Sequence, residues 1–228
     1  MQKLGTNYGG WIIPKDIELN ENSIIYSGGV GEDISFDLLL SDKYNSSIFL
    51  LDPTKKSIKH FDEIKKYYET KNWNFSGNIQ QDYKFCIQTL NPNFSKFFYK
   101  EIALWNKKEK LKFYLQNNKD YVSQSLIENM FGNEYYLVDC LSIKQIMELY
   151  GHKKIDLLKL DIEGAENIVL DQMLNDKIYP KYLCIEFDLL INRKDYNNST
   201  QSIVDRLIQS GYKMLVNDKL NITFKYVR

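Results

Sequence analysis

The sequence predicts an α/β fold built on a mostly parallel sheet covered on both faces, and three observations carry that prediction. Short β-branched or leucine-rich runs alternate with helical apolar patterns through most of the chain. One run, Ser23 to Ser27, breaks at the glycine-rich turn Gly28-Gly29-Val30-Gly31. Another, Ile155 to Leu160, ends in Asp161-Ile162-Glu163-Gly164-Ala165-Glu166, just where a helical pattern begins. Ligands of open α/β sheets sit at the carboxyl ends of the strands, so both turns point to the same working edge.

After the glycine turn a helical pattern starts at Asp33, with apolar positions at Ile34, Phe36, Leu38, Leu39 and Leu40. Ser47 to Leu51 is the second strand, closed by Asp52-Pro53-Thr54 because Pro53 has no N–H to continue a ladder. A charged amphipathic helix follows over about Lys55 to Lys71. Asn72 to Ser95 is polar and turn-rich, punctuated by Trp73, Phe75, Phe85 and Phe94. It reads as an insertion packed over the sheet, with one strand near Tyr83 to Gln88. Phe97 to Trp105 and Lys110 to Leu115 read as strands joined by the charged turn Asn106 to Glu109, and Gln116 to Glu134 as a loop.

Beyond Tyr136 to Cys140 the alternation resumes. Helices are expected over Ser142 to Tyr150 and Ala165 to Asn175, and strands over Ile155 to Leu160 and Lys181 to Phe187. A helix near Thr200 to Ser210 leads to Tyr212 to Val216 and Asn221 to Tyr226, which read as a closing antiparallel hairpin around Asn217-Asp218. The whole is expected to be a single domain over residues 1–228, with an N-terminal extension (1–22) and the insertion (72–95).

Lys plus Arg and Asp plus Glu both total 30, so no net field favours nucleic acid or an anionic membrane. No segment reaches the roughly 20 apolar residues that span a bilayer, and the amino terminus lacks a signal-peptide core. Cys86, Cys140 and Cys184 are dispersed, without the close pairs of zinc sites, as expected of reduced, mostly buried thiols. A cytoplasmic protein is the expectation. His60 and His152 lie in or just after lysine-rich helical stretches and are expected at the surface.

A strand, a glycine turn, a helix and an acid about 20 positions on form the general nucleotide-binding arrangement. Gly29 and Gly31 allow close backbone approach, and Asp52, followed by Pro53 and Thr54, is placed to accept ribose hydroxyls. The same glycines also serve ordinary tight turns. A dinucleotide pyrophosphate needs a bare helix amino terminus, whereas Glu32 and Asp33 occupy this one and the third fingerprint glycine is missing. Two carboxylates beside a pyrophosphate would each repel it by about 1 kcal/mol or more. S-adenosylmethionine has no phosphate and carries a sulfonium and an ammonium, which acidic neighbours suit. Helix capping alone is the competing reading for Glu32 and Asp33.

Tyr26 to Asp37 with its glycine turn, Leu51-Asp52-Pro53-Thr54 and Asp156 to Glu166 together resemble the FkbM-type methyltransferases, and the resemblance runs from Tyr8-Gly9-Gly10-Trp11 to Asp188. It implies a Rossmann-like class I methyltransferase domain, whose seven-stranded, mostly parallel sheet ends in an antiparallel hairpin. It also implies S-adenosylmethionine as methyl donor and a hydroxyl of a sugar, glycan or natural product as acceptor. Many members carry an acid at the end of the first strand where this chain has Ser27, which leaves Asp33, backbone carbonyls or water to hold the cofactor's ammonium.

A sugar hydroxyl is a poor nucleophile and needs a base or a metal to take its proton. Asp161 is the first candidate, with Glu163 beside it and Glu186 at the neighbouring strand's end; together they form a set that a divalent cation would also accept. Glu166 is expected to cap its helix. Tyr8 and Trp11 either lid the cleft or anchor the extension, and Ser123 and Ser125 lie in a loop that faces the acceptor in one reading. Competing functions are a nicotinamide-dependent oxidoreductase, which the acidic turn disfavours, and a cofactor-binding scaffold without catalysis.

Overall fold

A computed structural model describes residues 1–118, 121–189 and 197–228. Two residues of the Gln116 to Glu134 loop, 119–120, therefore lie outside the described set.

The main sheet has seven strands. They are β3 (Ile24–Gly28), β4 (Ser47–Leu51), β5 (Phe97–Lys100), β10 (Leu157–Leu160), β11 (Tyr182–Glu186), β12 (Tyr212–Asp218) and β13 (Asn221–Tyr226), in the order β12-β13-β11-β10-β3-β4-β5. The pairs from β11 to β5 are parallel, while β13 runs antiparallel to both β11 and β12. This is the expected parallel sheet with a closing antiparallel hairpin.

Side-chain alternation sorts each strand onto two cores. Ile25, Ile48, Leu50 and Leu157 pack against α1 (Ser35–Tyr44), α2 (Lys55–Thr70) and α3 (Tyr83–Ile87). Tyr26, Phe49, Leu158 and Leu160 pack against α4 (Ile143–Tyr150), α5 (Glu166–Asn175) and α6 (Asn197–Ser210). Burying such a side chain is worth about 1.5–3 kcal/mol, so strands apolar on both faces are held firmly in register. The helices start and stop where local chemistry dictates. Ser142 and Gln145 form a reciprocal capping box on α4, and Gly151 ends it in the left-handed conformation.

Several expectations are corrected. Tyr83 to Gln88 is helical, not extended. In a strand Tyr83, Phe85 and Ile87 would share a face; here Tyr83 and Ile87 are fully buried while Phe85 is exposed, as i, i+4 spacing requires. Phe97 to Trp105 is two strands, because the chain leaves the main sheet after Lys100. Its continuation β6 (Ala103–Leu104) joins β7 (Glu109–Leu115), β8 (Gln124–Ser125) and β9 (Tyr135–Leu141) in a second, four-stranded sheet of order β6-β9-β7-β8. The Gln116 to Glu134 stretch thus contains a short strand. His60, finally, is buried rather than at the surface: its Nε2 meets the Tyr83 hydroxyl at 2.8 Å, joining α2 to the insertion. His152 is half-buried, its Nδ1 2.7 Å from the Tyr26 hydroxyl.

Residues 1–22 contribute the hairpin β1 (Gln2–Leu4) and β2 (Trp11–Ile13), anchored by buried Trp11 and Ile13. All three cysteines are free, Cys140 and Cys184 fully buried. Among the described residues no helix is long and apolar enough to cross a membrane.

Candidate active site

A cavity of about 300 Å³ opens at the carboxyl ends of β3, β4, β10 and β11. Its floor is the glycine turn. Gly29 and Gly31 have φ of +74° and +63°, and a Cβ at Gly29 would collide with the carbonyl of Asp161. Glycine is thus required at Gly29 twice over, by its left-handed backbone and by close approach of the neighbouring strand end.

Asp52 closes β4 and holds this turn. Its Oδ2 accepts from the N–H groups of Val30 (2.8 Å) and Gly31 (3.2 Å), and its Oδ1 from that of Thr54 (2.7 Å). The carboxylate faces the cavity with Pro53 and Thr54 and keeps lone pairs for a further donor. Asp33 lines the same wall. Its two oxygens accept from Thr6 Oγ1 (2.5 Å) and Ser35 N (3.0 Å), which ties the N-terminal extension to the start of α1. Ser27 is buried and does not face the cavity.

The acidic segment after β10 makes the opposite wall. Lys159, itself buried, donates from Nζ to the Gly29 carbonyl and lies 3.7 Å from Asp161 Oδ2. Asp161 is walled by protein yet keeps 35% of its side-chain surface open to the cavity. Burial raises its pKa, Lys159 opposes that rise, and Asp52 adds to it. Glu163 adopts φ +55°, an uncommon backbone for a residue with a side chain, beside Gly164 at φ +98°. Ser125 Oγ holds the Glu163 carbonyl at 2.6 Å, and the Ser123 side chain bonds its carboxylate. Burial, then the neighbouring Asp161 charge, pushes Glu163 up to about 7. The same two causes bring Glu186 to about 7. Glu166 accepts from the N–H groups of Ile162 (2.8 Å) and Gly164 (3.3 Å), closing the turn as a cap.

The roof comes from elements that sequence reading assigned no site role. Ala103, Leu104, Phe113 and Leu126, all in or beside the second sheet, cover the cavity with apolar surface. Tyr8, from the loop between β1 and β2, stands at the edge; burial, then the charges of Asp161, Glu163, Glu186 and Asp33, raises its hydroxyl to about 12. Asp188 and Asn221 also face the cavity. Their only sequence signal was position, at the ends of strands on the working edge. The residues expected to bind cofactor or act in catalysis line this one cavity, Gly29, Gly31, Asp33, Asp52, Pro53, Thr54, Asp161, Glu163 and Glu186, whereas Trp11 and Ser125, also considered from the sequence, do not. Glu166, a cap, does not.

The donor set suits a cation-bearing organic cofactor. Oxygen acceptors converge from five strands or turns, and Asp188 Oδ2 and Asn221 Oδ1 are buried without a partner. The divalent cation considered from the sequence finds no such fit, because among the described residues no three His, Cys, Asp or Glu side chains are grouped to hold a metal ion.

The family profile of the methyltransferase FkbM domain matches residues 54–214, well over half of the chain. The chain belongs to the FkbM methyltransferase family. It is accordingly an S-adenosylmethionine-dependent methyltransferase. The FkbM match begins at Thr54, past the glycine turn and Asp52, and includes the acidic segment. Among solved structures, fibrillarin of Methanococcus jannaschii, a pre-rRNA processing protein, is similar over 92% of this chain and 69% of that chain, at 9% identity and a TM-score of 0.43. Curated proteins returned no significant match.

Proposed function

We propose that this FkbM methyltransferase methylates a hydroxyl of a sugar, glycan or related small molecule. The observation that carries this reading is the pairing of an apolar-roofed cavity with carboxylates whose proton affinity lies near neutrality. S-adenosylmethionine, when bound, supplies a methyl group on a cationic sulfur. Gly29, Gly31, Asp52, Pro53 and Thr54 would hold its nucleoside, and Asp33 and the Asp161 region its charged end.

Glu163 is the residue best suited to take the acceptor's proton. A base works best when its pKa lies near the working pH, and burial with the neighbouring Asp161 charge brings Glu163 up to about 7. Its backbone is held in an uncommon conformation by Ser125 and Gly164, so the carboxylate is aimed rather than mobile. Asp161 stands beside Lys159 at the glycine turn, and that ammonium opposes the rise that burial imposes on its pKa. Phe113, Leu104 and Leu126 exclude water above the reacting groups.

Two measurements test the proposal. Calorimetry should show binding of S-adenosylhomocysteine but not of NAD. Transfer of labelled methyl to a panel of sugars should yield an O-methyl product, and Glu163→Gln should lower kcat by about 10²- to 10⁴-fold with cofactor affinity retained. Binding of NAD in preference, or a Glu163→Gln variant with wild-type turnover, would overturn the assignment.

A further inference from the structure

The half of the cavity away from the glycine turn carries more acceptor oxygens than the protein around it satisfies. Asp52 closes β4, whereas Glu186 closes β11, three strands along the sheet. At about 4.8 Å per strand those ends stand roughly 14 Å apart, so the two halves of the edge meet different parts of what binds. Lys159 is the one basic side chain among the described residues lining the cavity, and it is committed to Gly29 and Asp161. Glu186 and Asp188 have no ion pair among the described residues.

Asp188 is nine-tenths buried, faces the cavity, and its Oδ2 has no hydrogen-bond partner among the described residues. Asn221, directly opposite Glu186 in the β11–β13 register, presents a buried Oδ1 with no partner either. An unpaired buried acceptor is costly, and two of them beside the Glu186 carboxylate call for a ligand that brings several donors. A single hydroxyl brings one O–H donor. An ammonium brings three with a positive charge, pyramidally disposed.

We propose that Glu186, Asp188 and Asn221 form an ammonium subsite and that the acceptor is an amine-bearing alcohol, of which amino sugars are the prototype. This deepens the methyl-transfer reading above and rests on it. The protonated nitrogen has no lone pair, so it anchors the molecule while a hydroxyl oxygen elsewhere on the acceptor, next to Glu163, gains the methyl and gives up its proton. Glu186 thereby acts in binding, and Glu163 in proton transfer.

The test uses the whole chain saturated with S-adenosylhomocysteine. Matched pairs of sugars, each a free amino sugar and its N-acetyl counterpart (glucosamine, galactosamine, mannosamine and 4-amino-4-deoxyglucose), are titrated and followed by saturation-transfer NMR. At least one amine should bind about tenfold or more tightly than its acetylated partner, and labelled methyl from the intact donor should appear on its oxygen. Asp188→Asn should bring that ratio close to one while affinity for S-adenosylhomocysteine holds; Asn221→Leu should lower it independently. Equal or weaker binding of the amine in every pair, absence of binding by all the amines, or methylation on nitrogen would overturn the subsite. Failure of S-adenosylhomocysteine itself to bind would instead overturn the methyl-transfer reading.

Discussion

Asp52 does two jobs with one carboxylate. Three backbone N–H groups of the glycine turn and its flank converge on it, while its free lone pairs face the cavity. Asp52→Ala should therefore destabilise the fold by about 1–3 kcal/mol through unpaired buried N–H groups. It should also weaken S-adenosylhomocysteine binding by a similar amount; urea unfolding and calorimetry read the two effects separately. Asp161 differs, because its partner is the buried Lys159. Asp161→Asn should lower kcat by about 100-fold or more with the fold and cofactor affinity largely kept, and should leave the rise of rate near pH 7 in place. Glu163→Gln should abolish that rise. A pH–rate profile of each variant separates charge placement at Asp161 from proton transfer at Glu163. None of this division was legible in the sequence, where Asp161, Glu163 and Glu186 are three carboxylates at an edge. Lys159 decides it, and its significance depends on a neighbouring turn 130 residues earlier in the chain.

The insertion at residues 72–95 is held to α2 by the Ser76–Glu63 and Tyr68–Ile87 hydrogen bonds and by a buried histidine contact in an aromatic setting. Phe75 and Tyr83 flank His60, and the Tyr83 hydroxyl bonds its Nε2 while Nδ1 is buried without a partner. Burial lowers the His60 pKa to about 4. Because the folded value lies below the unfolded one of about 6.5, the stability that neutral His60 provides is fully present above pH 6.5. It is lost as pH falls toward 4, by about 3 kcal/mol at the limit. Urea titrations at pH 7 and pH 4.5 should show that loss, and His60→Phe should reduce it. The sequence revealed the aromatic content of this insertion but not its form. Tyr83, Phe85 and Ile87 alternate as a strand would, and only docking of Tyr83 and Ile87 onto α1 and α2 makes the segment helical. The second sheet was missed for a related reason. Ala103–Leu104 and Tyr135–Leu141 lie more than 30 residues apart, and their parallel pairing leaves no local trace.

At the scale of the whole molecule the working edge is a reservoir of like charge. Glu163 and Glu186 are raised to about 7, Glu166 to about 8 and Asp188 to about 10, each by burial first and by neighbouring carboxylates or, for Glu166, by Asp161 as well. All four folded values exceed the unfolded ones, so the stability these groups contribute is present in acid and is lost as pH rises through the folded values. With His60 acting in the opposite sense below pH 6.5, the unliganded protein should be most stable in mildly acidic solution. Its Tm should then fall from pH 6 to pH 9. A cation in the cavity offsets the repulsion, so S-adenosylmethionine should raise Tm more at pH 9 than at pH 6, and by more than uncharged S-adenosylhomocysteine sulfur allows. Differential scanning fluorimetry across that range, with both ligands, checks each statement.

What the sequence determined alone was the alternation of apolar runs and helices, the glycine turn, and the acids that follow β4 and β10. Those features are local: a period of two or of 3.6, a Pro that ends a strand, a Gly that alone tolerates positive φ. Tertiary structure decided which acids are compensated, which are orphaned and what covers them. Ser125, Asn221 and the second sheet reach the site from distant parts of the chain, Lys159 meets Gly29 only there, and burial, which sets each group's affinity for protons, exists only once those parts have met.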